Sequence, residues 1–169
     1  MIINVNKISE KGISFTDNVE IDGNSLLEKD SSFLEELNYQ ILFKREGNRI
    51  KAQGRIRTRI SLPCVKCLEY FDLKINSKFD IILFPLELLT QKNSSLEAEE
   101  MEYIFYEEDQ IDLNKILVEQ INLFIPMHPQ CHADCRGICP NCGSNLNASS
   151  CQCERPRNEI KFYFEKIKR

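Results

Sequence analysis

The chain has 169 residues and a formal net charge of −4. That length suffices for one domain with a hydrophobic core plus an appendage, and the acidic balance argues against general nucleic-acid binding driven by overall charge. The opening MIINVNKISEKGISF lacks the apolar run of an export signal, and no stretch approaches the ~20 apolar residues of a membrane span. The expectation is a cytoplasmic protein with reduced thiols and no membrane partner.

In chain order, residues 2–8 and 12–21 alternate apolar and polar positions (Ile3, Val5; Ile13, Phe15, Val19, Ile21) and read as strands around a turn at Lys11-Gly12. Residues 23–36 are polar and read as a loop with a helical turn. Asn38 to Lys44 reads as a strand with Tyr39, Ile41 and Phe43 on one face, and Glu46-Gly47-Asn48 supplies hairpin turn chemistry. The return strand, Arg49 to Leu62, has the clearest period of two. Ile50, Ala52, Gly54, Ile56, Thr58 and Ile60 fall on one face; Arg49, Lys51, Arg55, Arg57 and Arg59 fall on the other. Such a row is either a solvated face paired to acids across the sheet or a surface for phosphate.

Phe71 to Pro85 reads as a further strand, Leu86 to Met101 as a loop, and Tyr103 to Tyr106 as a short strand. Asp112 has the chemistry of a helix N-cap, and Leu113, Ile116, Leu117, Ile121 and Phe124 follow at helical spacing until Pro126. The pattern predicts a helix over 112–124 with that stripe in the core. Ile160, Tyr163, Phe164 and Ile167 suit a short C-terminal amphipathic helix, although Ile160, Phe162 and Phe164 equally suit a strand.

Charge is segregated along the chain. Residues 44–59 carry seven Lys/Arg against one Glu, 97–109 carry seven acids and no base, and 155–169 carry six Lys/Arg against two Glu.

Eight cysteines in a cytoplasmic chain favour metal ligation over disulfides. Six lie in Cys131–Cys153, CHADCRGICPNCGSNLNASSCQC, and two form the upstream pair Cys64/Cys67. Zinc takes four soft ligands in a tetrahedron, and a CxxC turn supplies two of them. Cys139, Cys142, Cys151 and Cys153 fit one compact site, provided the chain bends between the last two. Cys64, Cys67, Cys131 and Cys135 are left for a second site, with His128 and His132 as competing ligands. Two structural zinc ions are the expectation. Thiol redox chemistry is the alternative, but neither CxxC pair has the strand-to-helix context it uses. No phosphate loop, nucleophile elbow or HExxH motif is present, so no catalytic residues are assigned.

Three stretches together resemble the YceD family of bacterial proteins, described as large ribosomal RNA subunit accumulation proteins. They are Gly54–Phe71 (GRIRTRISLPCVKCLEYF), Ile111–Pro126 (IDLNKILVEQINLFIP) and Cys131–Cys153, where Cys131, Cys135, Gly137, Cys139, Pro140, Cys142, Gly143, Asn145, Leu146 and Asn147 fit the tail pattern. The resemblance implies a non-enzymatic role in ribosome biogenesis, in the accumulation or processing of 23S ribosomal RNA.

The resulting expectation is an α+β protein with a bent, mostly antiparallel sheet and one main helix. An α+β domain would span 1–126, a cysteine-rich zinc-knuckle segment packed on it 127–154, and a basic helix 155–169. Large-subunit ribosomal RNA would meet Arg55, Arg57 and Arg59, helped by Lys51 and Arg49. Two other readings compete. In one, an adaptor binds a ribosomal protein or enzyme through the acidic stretch 97–109 without touching RNA. In the other, the chain is a thiol oxidoreductase or metal-dependent hydrolase.

Overall fold

The computed structural model describes residues 1–87 and 102–153. Residues 88–101, most of the loop expected at 86–101, and the whole basic C-terminal segment 155–169, with its expected helix, lie outside the described residues.

The described chain is mostly sheet with one α-helix, an α+β fold. Its strands are β1 (Ile2–Asn4), β2 (Ile13–Val19), β3 (Ser32–Phe33), β4 (Leu37–Glu46), β5 (Arg49–Pro63), β6 (Tyr70–Pro85), β7 (Glu102–Tyr106) and β8 (Gln110–Asp112), and helix α1 spans Leu113–Phe124. The main sheet has the order β2-β4-β5-β6-β7, with β3 also on β5, and β1 pairs with β8 in a separate two-stranded sheet. All pairings are antiparallel except β6–β7, which is parallel.

The expected pairing of the first two strands around Gly12 is not what forms. Val5–Lys7 makes a 3-10 turn, with the Asn4 side chain accepting from Asn6 N, so the strand stops at Asn4. The Val5 N–H donates to Asp109 O at 2.8 Å and the Leu113 N–H to Met1 O at 3.0 Å. The amino terminus is thereby drawn to β8, while β2 pairs with β4. Arg45 holds this corner: its guanidinium donates to Val5 O at 2.6 Å and Ile8 O at 2.9 Å. One of the cations in the basic stretch is therefore structural. β8 is a strand that sequence periodicity missed, being only three residues long.

The alternation in β5 is realised. Ile50, Ala52, Ile56, Thr58, Ile60 and Leu62 are buried, and the facing side chains of β4 (Leu37, Tyr39, Ile41, Phe43) and β6 (Ile75, Phe79, Ile81, Leu83) join them. The one buried hydroxyl in this row, Thr58, donates to Glu35 O at 3.1 Å. Helix α1 closes the same core with Leu113, Ile116, Leu117 and Ile121. Its N-cap is Asp112, whose side chain accepts from Asn114 N at 3.0 Å. Phe124, expected in the stripe, is 42% exposed, because it falls at the last turn, where the chain turns away before Pro126.

Gly54 is closely covered by its cross-strand neighbours. A Cβ there would lie 2.4 Å from Phe79 Cζ and 2.9 Å from Ile41 Cγ1, since the Phe79 ring, directly cross-strand, covers the glycine. Gly54→Ala should therefore lower stability by about 1–3 kcal/mol through overpacking. Chemical denaturation checks this, and an unchanged midpoint would show that Phe79 moves aside freely.

Candidate metal centre and the basic sheet face

The connection from β5 to β6 carries Cys64 and Cys67. Cys64 N donates to Glu69 O and Leu68 N to Cys64 O, both at 2.9 Å. Residues 139–144 repeat this pattern: Cys139 N donates to Ser144 O at 2.8 Å and Gly143 N to Cys139 O at 2.9 Å. In each loop the residue after the second cysteine is left-handed, Leu68 at φ 63° and Gly143 at φ 72°. Glycine takes that conformation without steric penalty, and leucine holds it only because the loop requires it.

The eight sulfurs form two groups, Cys64/Cys67/Cys131/Cys135 and Cys139/Cys142/Cys151/Cys153, with the sulfurs of each group within 4.8 Å of one another. None is in a disulfide. In the first group Cys64 and Cys135 are 3.8 Å apart and Cys67 and Cys131 3.7 Å apart. Four sulfurs at the Zn–S distance of about 2.3 Å form a tetrahedron with edges of about 3.8 Å, so this donor set fits a tetrahedral thiophilic ion. The partition is the one expected from spacing. His128 and His132 are exposed and outside both groups, and the all-cysteine ligand sets are the ones the fold brings together.

The surroundings of the sulfurs are polarised for this task. Burial alone would raise the Cys64 thiol, but N–H groups of Cys67, Cys131 and Lys66 outweigh it and hold Cys64 down to about 6. The Ser144 hydroxyl, 3.1 Å from the Cys142 sulfur, and the Ser144 N–H hold Cys142 down to about 6. Their neighbours go the other way. Burial and the adjacent sulfurs push Cys131 up to about 12, and the nearby Cys142 sulfur with burial pushes Cys153 up to about 12. Each group thus resists holding four thiolates on its own, as like charges in one small volume must. A divalent cation held by the four sulfurs would remove that conflict and favour their thiolate forms.

Two residues of the tail pattern that are not themselves ligand candidates, Asn147 and Gly137, support the first group. Asn147 donates from Nδ2 to the Cys135 sulfur at 3.3 Å and accepts the Arg136 N–H at 2.8 Å. Gly137 (φ 72°) lies against the upstream loop, where a Cβ would be 3.0 Å from Lys66 O. The tail is also tied to that loop by Ile138 N to Lys66 O (3.1 Å) and Val65 N to Pro129 O (2.9 Å).

The five cations of β5 have divided fates. Arg49 pairs with Glu46 at 3.4 Å, Lys51 with Asp80 at 3.2 Å, and Arg59 with Glu35 at 2.9 Å and Asp72 at 3.6 Å. Among the described residues Arg55 and Arg57 have no ion pair, and neither do Lys74 and Lys78, which β6 adds to the same face. Lys78 stands directly opposite Arg55, and Lys74 opposite Arg59. The two lysines were legible as polar positions of a strand, but the register that sets them beside the arginines was not.

The family model for the large ribosomal RNA subunit accumulation protein YceD matches residues 52–166, more than half of the chain. The chain belongs to the YceD family. It is 29% identical over 147 residues to the maize (Zea mays) protein named "Large ribosomal RNA subunit accumulation protein YCED homolog 1, chloroplastic", covering 68% of this chain and 47% of the relative. The Arabidopsis thaliana protein of the same name is 28% identical over 137 residues, covering 68% and 43%. An uncharacterized protein of Mycobacterium tuberculosis is 25% identical over 124 residues, covering 73% and 57%. This chain spans about half the length of these curated relatives. No solved structure matches it. Among the described residues no helix is long and apolar enough to cross a membrane.

Natively purified protein should contain two metal ions per chain by elemental mass spectrometry. Cys135→Ser should reduce this to one, because the group at Cys139–Cys153 shares no ligand with the first. Loss of both ions in that variant would show that the two centres are not independent.

Proposed function

We propose that this chain is a non-enzymatic factor in ribosome biogenesis that supports accumulation or processing of 23S ribosomal RNA by contacting it through the outer face of β5 and β6. The observation that carries this reading is the cluster Arg55, Arg57, Lys74 and Lys78. Like charges set directly across a sheet are unfavourable, and the acids near this row are already engaged with Lys51, Arg49 and Arg59. A surface that keeps four cations together with no ion pair of their own among the described residues suits a polyanion. The large ribosomal RNA subunit in the names of the plant relatives supplies a polyanion of the right kind. Lys51, Arg59 and Arg49 border the cluster and add phosphate contacts once their carboxylate partners are displaced.

In this reading zinc occupies both cysteine groups and has a structural role. Four thiolates complete a tetrahedral shell and leave no position for a reacting water, which supports a clasp over a catalytic centre. The zinc at Cys64, Cys67, Cys131 and Cys135 would cross-link the end of the arginine-bearing strand to residues 127–153, which act as a segment packed on an α+β domain spanning 1–126. The work would be done in the cytoplasm, where the thiols stay reduced.

Four phosphate contacts predict that affinity for a 23S ribosomal RNA fragment falls roughly 50- to 150-fold between 50 and 200 mM salt. Arg55→Glu/Arg57→Glu should weaken binding by about tenfold or more and flatten the salt dependence by about two phosphate contacts. Fluorescence anisotropy measures both. Binding that ignores salt and both substitutions would refute direct RNA contact and favour the adaptor reading through a protein partner.

A further inference from the structure

The sheet face that carries the cations also carries aromatic rings at both of its ends. Along β6 the side chains alternate, and the even-numbered positions share the outer face with the odd-numbered positions of β5. That face therefore runs Tyr70, Asp72, Lys74, Asn76, Lys78, Asp80, Ile82, Phe84. Tyr70, beside Pro63, is 59% exposed. At the other end the parallel register of β7 sets Tyr103 beside Ile82 and Phe105 beside Phe84. The Phe84 ring lies 5.7 Å from that of Tyr103 and 6.5 Å from that of Phe105. All three are half-buried, so ring area remains accessible on a face turned away from the core. Aromatic side chains are ordinarily core material; here four of them line the same side of the sheet as Arg55, Arg57, Lys74 and Lys78.

We propose that this outer face is a track for single-stranded RNA, with phosphates on Arg55, Arg57, Lys74 and Lys78 and unstacked bases on Tyr70 at one end and on the Phe84–Tyr103–Phe105 platform at the other. The proposal rests on the RNA-contact reading above and specifies the form of RNA. Charge complementarity selects a polyanion, but cations alone take duplex and single strand alike. A duplex hides its base faces inside the helix, whereas a single strand offers them, and every base has a face that stacks on an aromatic ring. The combination of a basic row and flanking, partly exposed rings on one sheet face, with Ile82 buried beneath the rings at one end, uses both features. The rings flanking the cations give the strand anchor points without requiring a particular sequence.

The test uses the full chain and one RNA of about 12 nucleotides in mixed sequence without self-complementarity, alone and annealed to its complement. The single strand should bind about tenfold or more tightly than the duplex. Tyr70→Ala, at an exposed position, and Phe105→Leu, which keeps apolar bulk, should each weaken single-strand binding about fivefold or more and leave duplex binding unchanged. The chain contains no tryptophan, so Phe105→Trp supplies a lone fluorophore; its emission should be quenched by the single strand and not by the duplex. Equal binding of both RNA forms with no effect of Tyr70→Ala or Phe105→Leu would overturn the stacking track while leaving phosphate contact intact. Absence of binding to either form, or indifference to Arg55→Glu/Arg57→Glu, would instead remove the RNA-contact reading and this proposal with it.

Discussion

Four sulfur atoms drawn from two distant parts of the chain, Cys64 and Cys67 with Cys131 and Cys135, set the constraint on which the rest depends. They pack at separations of a tetrahedral thiolate site. Between residues 127 and 153 only Pro129, Cys135, Gly137 and Cys139 are buried. Apolar burial therefore contributes little to the course of this segment. What directs it is the sulfur cluster and a few backbone hydrogen bonds to the Cys64–Leu68 loop. An ion held at the cluster would convert mutual repulsion of thiolates into a cross-link, and its binding free energy would be folding free energy.

The sulfur cluster closes on the loop that joins β5 to β6, the two longest strands among the described residues and the ones that bear the basic row. Fixing that loop fixes the end of both strands, and with it the placement of Tyr70, Asp72 and Arg59. At the opposite end the fold uses different means: the Arg45 guanidinium ties β4 to the amino-terminal turn, and Phe79 lies over Gly54. The outer face is thus held at both ends by interactions that do not involve its own charged side chains. In the proposed RNA contact its cations would meet the phosphates, three of them by exchanging existing carboxylate partners.

Much of this was legible in residue pattern. The period of two in Arg49–Leu62 is strong because the inner face is apolar without interruption except for Gly54 and Thr58, and both exceptions have local explanations in Phe79 and Glu35. Asp112 and Pro126 bracket the helix, and the spacing of the cysteines divided them correctly because a CxxC loop can offer both sulfurs to one ion only within a short turn. What could not be read is long-range. The pairing of β1 with β8 depends on backbone bonds to Asp109 and Met1 that leave no trace in composition. Lys74 and Lys78 join Arg55 and Arg57 only through strand register, and Tyr103 and Phe105 reach the same face only through the register of β7, a parallel neighbour, on β6. A parallel neighbour has no hairpin signal in sequence. Asn147 and Ser144 support sulfurs through side-chain hydrogen bonds that spacing alone does not specify.

In the proposed function RNA lies on the outer face of β5 and β6, and the cysteine-rich segment braces that face. Ultraviolet crosslinking in cells, followed by mass-spectrometric mapping of nucleotide-modified peptides, should then give large-subunit ribosomal RNA adducts on peptides from β5, β6 and β7. Adducts confined to residues 127–153, or crosslinks to protein alone, would contradict it.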